Sequence, residues 1–156
     1  MSMRIGHGYD VHRLTKKRPL ILGGVNVPFE YGLLGHSDAD VLTHAIMDAI
    51  LGAAGLGDIG VHFPDTDDSY KDVSSLVLLS KVKEIISDKW NVINIDATVV
   101  SEAPKLGALK KQMAKNISDT LGICESQVNI KATTEEGLGF ANKGIAAHAV
   151  CMVGEK

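Results

Sequence analysis

The sequence has few aromatic residues and no large excess of charge of one sign, and the balance of charge excludes one class of partner. Phe, Trp and Tyr make up 4% of the 156 residues. The 16 basic and 19 acidic side chains are spread along the chain and give a net charge of −3. Such a chain lacks the basic stripe that neutralises a phosphate backbone. We therefore expect no nucleic acid partner.

Long apolar runs and cysteine motifs are missing as well. No run approaches the roughly 20 apolar residues of a membrane-spanning helix, and no basic segment leads into an apolar one at the N-terminus. We expect no membrane partner and a cytoplasmic protein of bacterial type. Cys124 and Cys151 lie far apart, outside any CxxC or CxxH context, which argues against a zinc ribbon or a redox motif. Buried free thiols are the expectation.

What the sequence does contain is enough apolar residues for a core, at 45% of the chain. We expect a single domain over residues 1–156. β-Prone runs predict strands near residues 3–11, 20–22, 25–27, 92–100, 128–134 and 145–153, and helical spacing predicts helices over 38–56, 73–88 and 109–121. This mixture predicts an α+β, two-layer fold: a mixed sheet of four or five strands with helices on one face.

Several residues suggest where these elements turn or end. Gly23 and Gly24 separate two β-prone runs and predict a hairpin. Ser37 is expected to cap the first long helix, Pro104 to precede the start of the last, and Gly122 to end it. The other glycine clusters, among them residues 6–8, suggest tight turns or backbone close to a ligand.

Asp10 and His12 are the first candidate metal ligands. Residues i and i+2 of a strand project from the same face, so one carboxylate and one imidazole would converge. A catalytic zinc site uses three protein ligands, and His44, inside a predicted helix, is the best third. Asp48 lies four residues later on the same helix face and is expected to hydrogen-bond the second ring nitrogen of His44. Zinc suits this set, and other divalent transition metals remain open.

Each of these residues also has a plain interpretation. An Asp-x-His sequence is common by chance, and a histidine in a helix more often packs or faces solvent than binds metal. The surrounding polar residues favour the functional interpretation. The amides of His36 and Ser37 come just before a predicted helix, where anions bind, although a capped helix needs no ligand.

Further polar residues follow in loops. Asp58, Asp65 and Asp67 could accept hydrogen bonds from sugar hydroxyls, or could simply be solvated. Residues 101–107 and 133–136 follow two predicted strands, where open sheets place ligands. There Lys105 and Thr134 suit a phosphate and Glu136 suits magnesium. Lys143 is a further cation, with a surface lysine as the default.

Taken together, the motifs resemble one family. They are GHGYDVH at residues 6–12, GLLGHSD at 32–38, LGDIG at 56–60, FPDTD at 63–67 and KATTEEGLGF at 131–140. In this order, over residues 3–153, they resemble the 2-C-methyl-D-erythritol 2,4-cyclodiphosphate synthase family. Several long motifs in the right order are far more specific than any one of them.

The resemblance implies a reaction, cofactors and an assembly. The enzyme would convert 4-diphosphocytidyl-2-C-methyl-D-erythritol 2-phosphate to the cyclic diphosphate in non-mevalonate isoprenoid biosynthesis, as a lyase that releases CMP. The substrate's 2-phosphate would attack its own β-phosphorus, assisted by Zn²⁺ and by Mg²⁺ or Mn²⁺. The family is a homotrimer with active sites between subunits, and it can bind an isoprenoid diphosphate near the threefold axis.

The resemblance also implies roles for individual residues. His36 and Thr134 would stabilise the transition state, Asp10, His12 and His44 would bind zinc, and Glu136 the second metal. The implied substrate contacts are Asp10, Val11, His12, His36, Ser37, Asp58, Ile59, Gly60, Phe63, Pro64, Asp65, Thr66, Asp67, Ser101, Glu102, Ala103, Pro104, Lys105, Leu106, Gly107, Thr133, Thr134, Glu135, Glu136, Phe140 and Lys143. Residues 140–145 depart from the commoner family form, which is longer and has an arginine; Lys143 lacks its bidentate fork.

Two other functions fit part of the pattern. A zinc phosphoesterase would hydrolyse its substrate with metal-bound hydroxide and give a linear product. A trimeric module that binds nucleotide or isoprenoid diphosphates would use zinc only for structure. Structural zinc sites normally have four protein ligands, whereas three are found here.

Overall fold

A computed structural model describes residues 2–140 and 142–156. Met1 lies outside the described residues, as does Ala141 in the divergent segment 140–145. The strands are β1 (Met3–Thr15), β2 (Leu20–Leu22), β3 (Val25–Val27), β4 (Gly32–Leu33), β5 (Trp90–Val100), β6 (Val128–Thr133) and β7 (Gly144–Glu155). The α-helices are α1 (Val41–Ala54), α2 (Ile59–His62), α3 (Ser75–Ile86) and α4 (Lys110–Leu121).

Five strands form a mixed sheet in the order β4-β1-β7-β5-β6, in which only β5 and β6 run parallel. The sheet and its helices confirm the predicted α+β class. β2 and β3 pair separately as a hairpin, whose turn residues Gly23 and Gly24 have φ values of +55° and +70°. Glycine adopts this left-handed region without the strain of a side chain, so the predicted hairpin is confirmed.

Helix α1 packs directly on β1 because two strand residues have no side chain. A Cβ atom on Gly6 would lie 2.0 Å from the Ala49 carbonyl oxygen, and one on Gly8 would lie 1.9 Å from that of Ala45. These glycines therefore make room for a helix, and their assignment to a turn or a ligand contact was wrong. The close approach brings α1 over the residues that follow Gly8 on β1.

The opposite face of the sheet has exposed apolar side chains. Ile5, Tyr9 and Val11 on β1 are 67%, 46% and 44% exposed, and Val150 on β7 is 44% exposed. The buried core lies on the helix side, where α1 packs against β1 and β7 and α4 packs against β6. One face of the sheet is thus covered by helices, as predicted.

The predicted cap of the first long helix was wrong, whereas the predicted start of the last helix at residue 109 is confirmed to within one residue. Helix α1 begins at Val41, and its N-cap is Asp40, whose carboxylate accepts hydrogen bonds from the amide and hydroxyl of Thr43. Ser37 is not the cap. Helix α4 begins at Lys110, well after Pro104, because residues 101–109 form a loop. Gly122, at φ +69°, ends α4 as predicted. In the described part of the chain, no helix is long and apolar enough to span a membrane.

Candidate active site

The three predicted metal ligands converge. The Oδ2 atom of Asp10 lies 2.8 Å from Nε2 of His12 and 3.0 Å from Nδ1 of His44, and these two ring nitrogens are 3.3 Å apart. Two nitrogens bound tetrahedrally to zinc at about 2.0–2.1 Å would be separated by about 3.3–3.4 Å. Asp10, His12 and His44 can therefore hold a metal ion, and their donor types and spacing fit zinc.

The charges of these groups are coupled. Burial alone would raise the pKa of Asp10, but hydrogen bonds and charge interactions with both histidines outweigh it and hold that pKa well below its ordinary value. Burial alone would lower the pKa of His12, but Asp10 raises it overall. The carboxylate is thus ionised and attracts positive charge, whether a proton on the imidazoles or a metal ion.

Neighbouring groups set the tautomers of both imidazoles. Nδ1 of His12 donates to the Leu34 carbonyl at 2.8 Å, which leaves Nε2 facing Asp10. Nε2 of His44 lies 2.9 Å from the Ser75 hydroxyl, which itself donates to Asp38 at 2.5 Å. Ser75 must therefore accept from His44, so Nδ1 of His44 keeps its lone pair for a ligand.

Asp48 does not have the expected role. Its carboxylate accepts a hydrogen bond from the backbone amide of Ile59 at 2.8 Å, and Ser75 and Ser37 occupy the second nitrogen of His44 instead. The prediction from helix spacing was wrong because the ring of His44 points toward the start of α3. Asp48 connects α1 to the start of α2, which carries Ile59 and Gly60.

The metal ligands open into a cavity of about 490 Å³. The structure brings together eight other predicted site residues in its lining: His36, Ser37, Ile59, Gly60, Phe63, Pro64, Asp65 and Thr66. Gly35, Tyr70 and Leu78 also line it, and the sequence did not identify them as site residues.

Three predicted contacts from the motifs that form this cavity lie outside its lining. Asp58 caps α2 by accepting from the amide of Val61, and Asp67 accepts from the amide of Ser69. The Asp67 carbonyl also accepts a hydrogen bond at 3.0 Å from Nε2 of His36, which orients that ring. Val11 projects from the exposed face of the sheet, away from α1.

The segment with His36 and Ser37 is not a helix N-terminus, because α1 begins only at Val41. The predicted anion site on a helix end was therefore wrong. Instead, the Arg18 guanidinium donates to the carbonyls of Gly35 and Ser37 and lies 3.6 Å from the Asp72 carboxylate. Arg18 was missed because a basic residue in the connection between β1 and β2 has no distinguishing pattern.

A second cluster of predicted residues lies at the ends of the parallel strands β5 and β6. The Ser101 amide donates to the Thr133 carbonyl at 2.9 Å, and the Glu135 amide donates to the Glu102 carboxylate at 2.8 Å. The other predicted members of these two segments are Ala103, Pro104, Lys105, Leu106, Gly107, Thr134 and Glu136. Hydrogen bonds therefore hold the two predicted segments side by side.

This cluster is separate from the metal cavity within one chain. Asp10 is in register with Ala147, Ala147 with Val99, and Val99 with Ala132, so Ala132 lies three strand spacings from Asp10, about 14 Å. Among the described residues, the metal cavity is lined by none from segments 101–107 or 133–136. The predicted site is thus divided between two regions.

Phe140 and Lys143 lie beside the second region. The Phe140 amide donates to the Glu135 carboxylate at 3.1 Å. Lys143, whose side chain is exposed, lines a separate cavity of about 520 Å³ together with Glu102, Ala103 and Arg13. Neither residue reaches the lining of the metal cavity.

Known proteins are similar to this chain in sequence and in fold. The model of the YgbB family matches residues 3–154. A relative from Clostridium novyi (strain NT), named 2-C-methyl-D-erythritol 2,4-cyclodiphosphate synthase, is 58% identical over 99% of this chain and 100% of its own length. The bifunctional IspDF from Campylobacter jejuni aligns with TM-score 0.95 and 42% identity over 99% of this chain, which spans 43% of that protein. The CDP complex of Plasmodium falciparum IspF aligns with TM-score 0.87 and 35% identity, over 99% of this chain and 97% of its own.

Proposed function

We propose a specific reaction from one premise: the chain belongs to the YgbB family, with the 2-C-methyl-D-erythritol 2,4-cyclodiphosphate synthases of non-mevalonate isoprenoid biosynthesis. The proposed substrate is 4-diphosphocytidyl-2-C-methyl-D-erythritol 2-phosphate. Its 2-phosphate oxygen bonds to the β-phosphorus, the bond from that phosphorus to the CMP oxygen breaks, and CMP leaves. The convergence of Asp10, His12 and His44 in a cavity lined by the family motifs carries this proposal.

The chain's residues must offset the repulsion between two phosphates. When bound, zinc at Asp10, His12 and His44 and magnesium or manganese at Glu136 would supply Lewis-acid stabilisation of charge on the diphosphate. The nucleophile is already an anion, so no side chain has to remove a proton from it. We assign His36 and Thr134 to positioning and to stabilising the developing charge.

The surroundings of these two residues support that assignment. His36 is oriented by the Asp67 carbonyl, and Arg18 holds the backbone on both sides of it. The hydroxyl of Thr134 lies 3.3 Å from a carboxylate oxygen of Glu136, so a donor and a metal-binding group are adjacent. The start of α2, with Asp58 and Gly60, would bind ribose, and residues 63–67 the methylerythritol phosphate.

The remaining predicted contacts form the proposed cytidine and diphosphate region. Residues 101–107 would hold the cytosine, and residues 133–136 the diphosphate, with Phe140 and Lys143 at its border. The solved structure of Plasmodium falciparum IspF is a CDP complex. This likeness supports a cytidine nucleotide as part of the substrate.

A homotrimer with active sites between subunits would unite the two regions. Two observations support it. Asp10 and Ala132, the residue just before the second region, lie three strand spacings apart in one chain, about 14 Å. An apolar sheet face with Ile5, Tyr9 and Val11 is exposed. Exposed apolar surface of this kind often marks a protein interface. An isoprenoid diphosphate near the threefold axis rests on the sequence resemblance alone. A cytoplasmic location, expected from the sequence, stays a prediction.

Phosphorus NMR tests the reaction. The protein is supplied with zinc, magnesium and 4-diphosphocytidyl-2-C-methyl-D-erythritol 2-phosphate, and the expected products are a cyclic diphosphate and CMP. A linear product carrying ¹⁸O from labelled water would instead select the zinc phosphoesterase. Unchanged substrate with zinc bound would contradict the proposed reaction and favour a binding module.

A further inference from the structure

Two histidines face each other on the side of the sheet opposite the metal centre. His7 lies on β1 and His148 on β7, and both side chains are exposed. Nε2 of His7 is 3.3 Å from Nδ1 of His148. Tyr9, directly across the strands from His148, places its ring 4.7 Å from the imidazole, measured between centroids. The proposed reaction uses none of these three side chains.

The spacing of this pair equals that of the two histidines in the metal centre. Nε2 of His12 and Nδ1 of His44 are also 3.3 Å apart, and in both pairs one ring offers Nε2 and the other Nδ1. About 3.3–3.4 Å is the separation expected for two nitrogens bound tetrahedrally to zinc at about 2.0–2.1 Å. Imidazole is a good ligand for zinc, copper and nickel.

We propose that His7 and His148 form a second metal site, which chelates one divalent transition-metal ion such as Zn²⁺ or Ni²⁺ per chain. The two exposed rings need no rearrangement of the backbone, because strands β1 and β7 already fix their separation. Water fills the remaining coordination positions, and Tyr9 limits the movement of the His148 ring. Two neutral imidazoles add no negative charge, so this site binds zinc more weakly than the site with Asp10.

The second site is independent of the first and of the proposed reaction. Successive side chains of a strand point to opposite faces, so His7 projects away from α1 while Asp10 projects toward it. The pair lies on the face that the proposed trimer would turn inward, but each chain carries both histidines. Loss of the second site should therefore leave the first site able to bind metal.

Zinc binding measured by equilibrium dialysis tests the proposal. With excess Mg²⁺ present to occupy the proposed site at Glu136, the parent protein should bind two zinc ions per chain, and His148→Gln and His7→Gln should each bind one. The matched control is His62→Gln, which removes an imidazole that hydrogen-bonds to the Leu56 carbonyl. This control variant should still bind two zinc ions per chain. Circular dichroism checks that each variant is folded.

A second measurement identifies the residues. With one equivalent of zinc already bound, added Ni²⁺ should broaden the ring-proton NMR signals of His7 and His148 more than those of His62. Equal zinc binding by the parent and His148→Gln would overturn the proposal, as would ring signals of His7 and His148 that do not respond to Ni²⁺. In either case, the two rings would simply hydrogen-bond to each other.

Discussion

The Ser75 hydroxyl accepts a hydrogen bond from Nε2 of His44 at 2.9 Å and donates a hydrogen bond to the Asp38 carboxylate. This chain of bonds leads from the start of α3 to a candidate metal ligand in α1. It fixes the ring with Nδ1 directed at Asp10. Removal of the serine oxygen should therefore weaken metal binding without removing a ligand.

The Ser75→Ala variant should bind zinc about 10- to 100-fold more weakly than the parent, as is typical when an outer partner of a metal ligand is lost. A competitive titration with a zinc-binding dye measures this change. Ser80→Ala is the matched control, because the Ser80 hydroxyl donates to the Val77 carbonyl in its own helix. Equal zinc affinity in Ser75→Ala and Ser80→Ala would contradict the assigned role.

Loss of a direct ligand should cost more. His44→Ala is expected to lower both zinc affinity and turnover by at least about 100-fold, because only two ligands remain. Loss of a hydrogen-bond partner of a ligand costs at most about that much. Lys143→Ala should have a much smaller effect, since Lys143 lies outside the metal cavity. Steady-state kinetics with saturating zinc compares the turnover of the two variants with that of the parent. Activity of His44→Ala near that of the parent would contradict the ligand assignment.

The close contact between α1 and β1 predicts a contrast between two glycines. Gly8→Ala should destabilise the protein by about 3 kcal/mol or more, since its Cβ would lie 1.9 Å from a backbone oxygen that cannot move alone. Gly52→Ala is the control: the nearest atom to its Cβ would be 4.0 Å away. An alanine there should stabilise α1 by about 0.5–1 kcal/mol. Urea denaturation measures both, and similar midpoints for the two variants would contradict the packing argument.

The two cysteines should differ in reactivity. Both are free; Cys151 is buried and Cys124 is exposed, so the expectation of two buried thiols was wrong for Cys124. Burial raises the pKa of the Cys151 thiol to about 12, and the thiolate is the reactive form. Iodoacetamide at pH 8 should thus modify only Cys124 in the folded protein and both thiols in urea. Mass spectrometry of peptides identifies the modified residue, and rapid labelling of Cys151 in the folded chain would oppose this prediction.

Local patterns predicted most of the fold and the three convergent metal ligands. The alternation in β1 placed Asp10 and His12 on one face, and α1 had a clear helical period. The partners of His44 could not be predicted in this way. Ser75 is 31 positions away in sequence and reaches the ring only because α3 packs beside α1. Asp48 satisfied the helical spacing but bonds to Ile59 instead.

Sequence patterns also could not predict the N-cap of α1 or the contacts of Arg18 that hold the backbone around His36. Ser37 and Asp40 are both good N-cap residues, and the choice of Asp40 depends on additional donors at Gly23 and Gly24 in the distant hairpin. The role of Arg18 depends on the tertiary position of residues 35–37, whose carbonyls at Gly35 and Ser37 accept its hydrogen bonds. Such contacts arise from tertiary packing, which one sequence does not specify locally.

The missing side chains of Gly6 and Gly8 have a last consequence for the metal centre. Because the backbone of α1 lies directly against Gly6 and Gly8 of β1, the packing of strand and helix fixes the distance between the backbone at His44 and the backbone at Asp10 and His12. The three donors are gathered only when the strand and helix are docked, and an unfolded chain disperses them. A bound metal ion would therefore link β1 to α1 and stabilise the folded state. The melting temperature should rise with the free metal concentration.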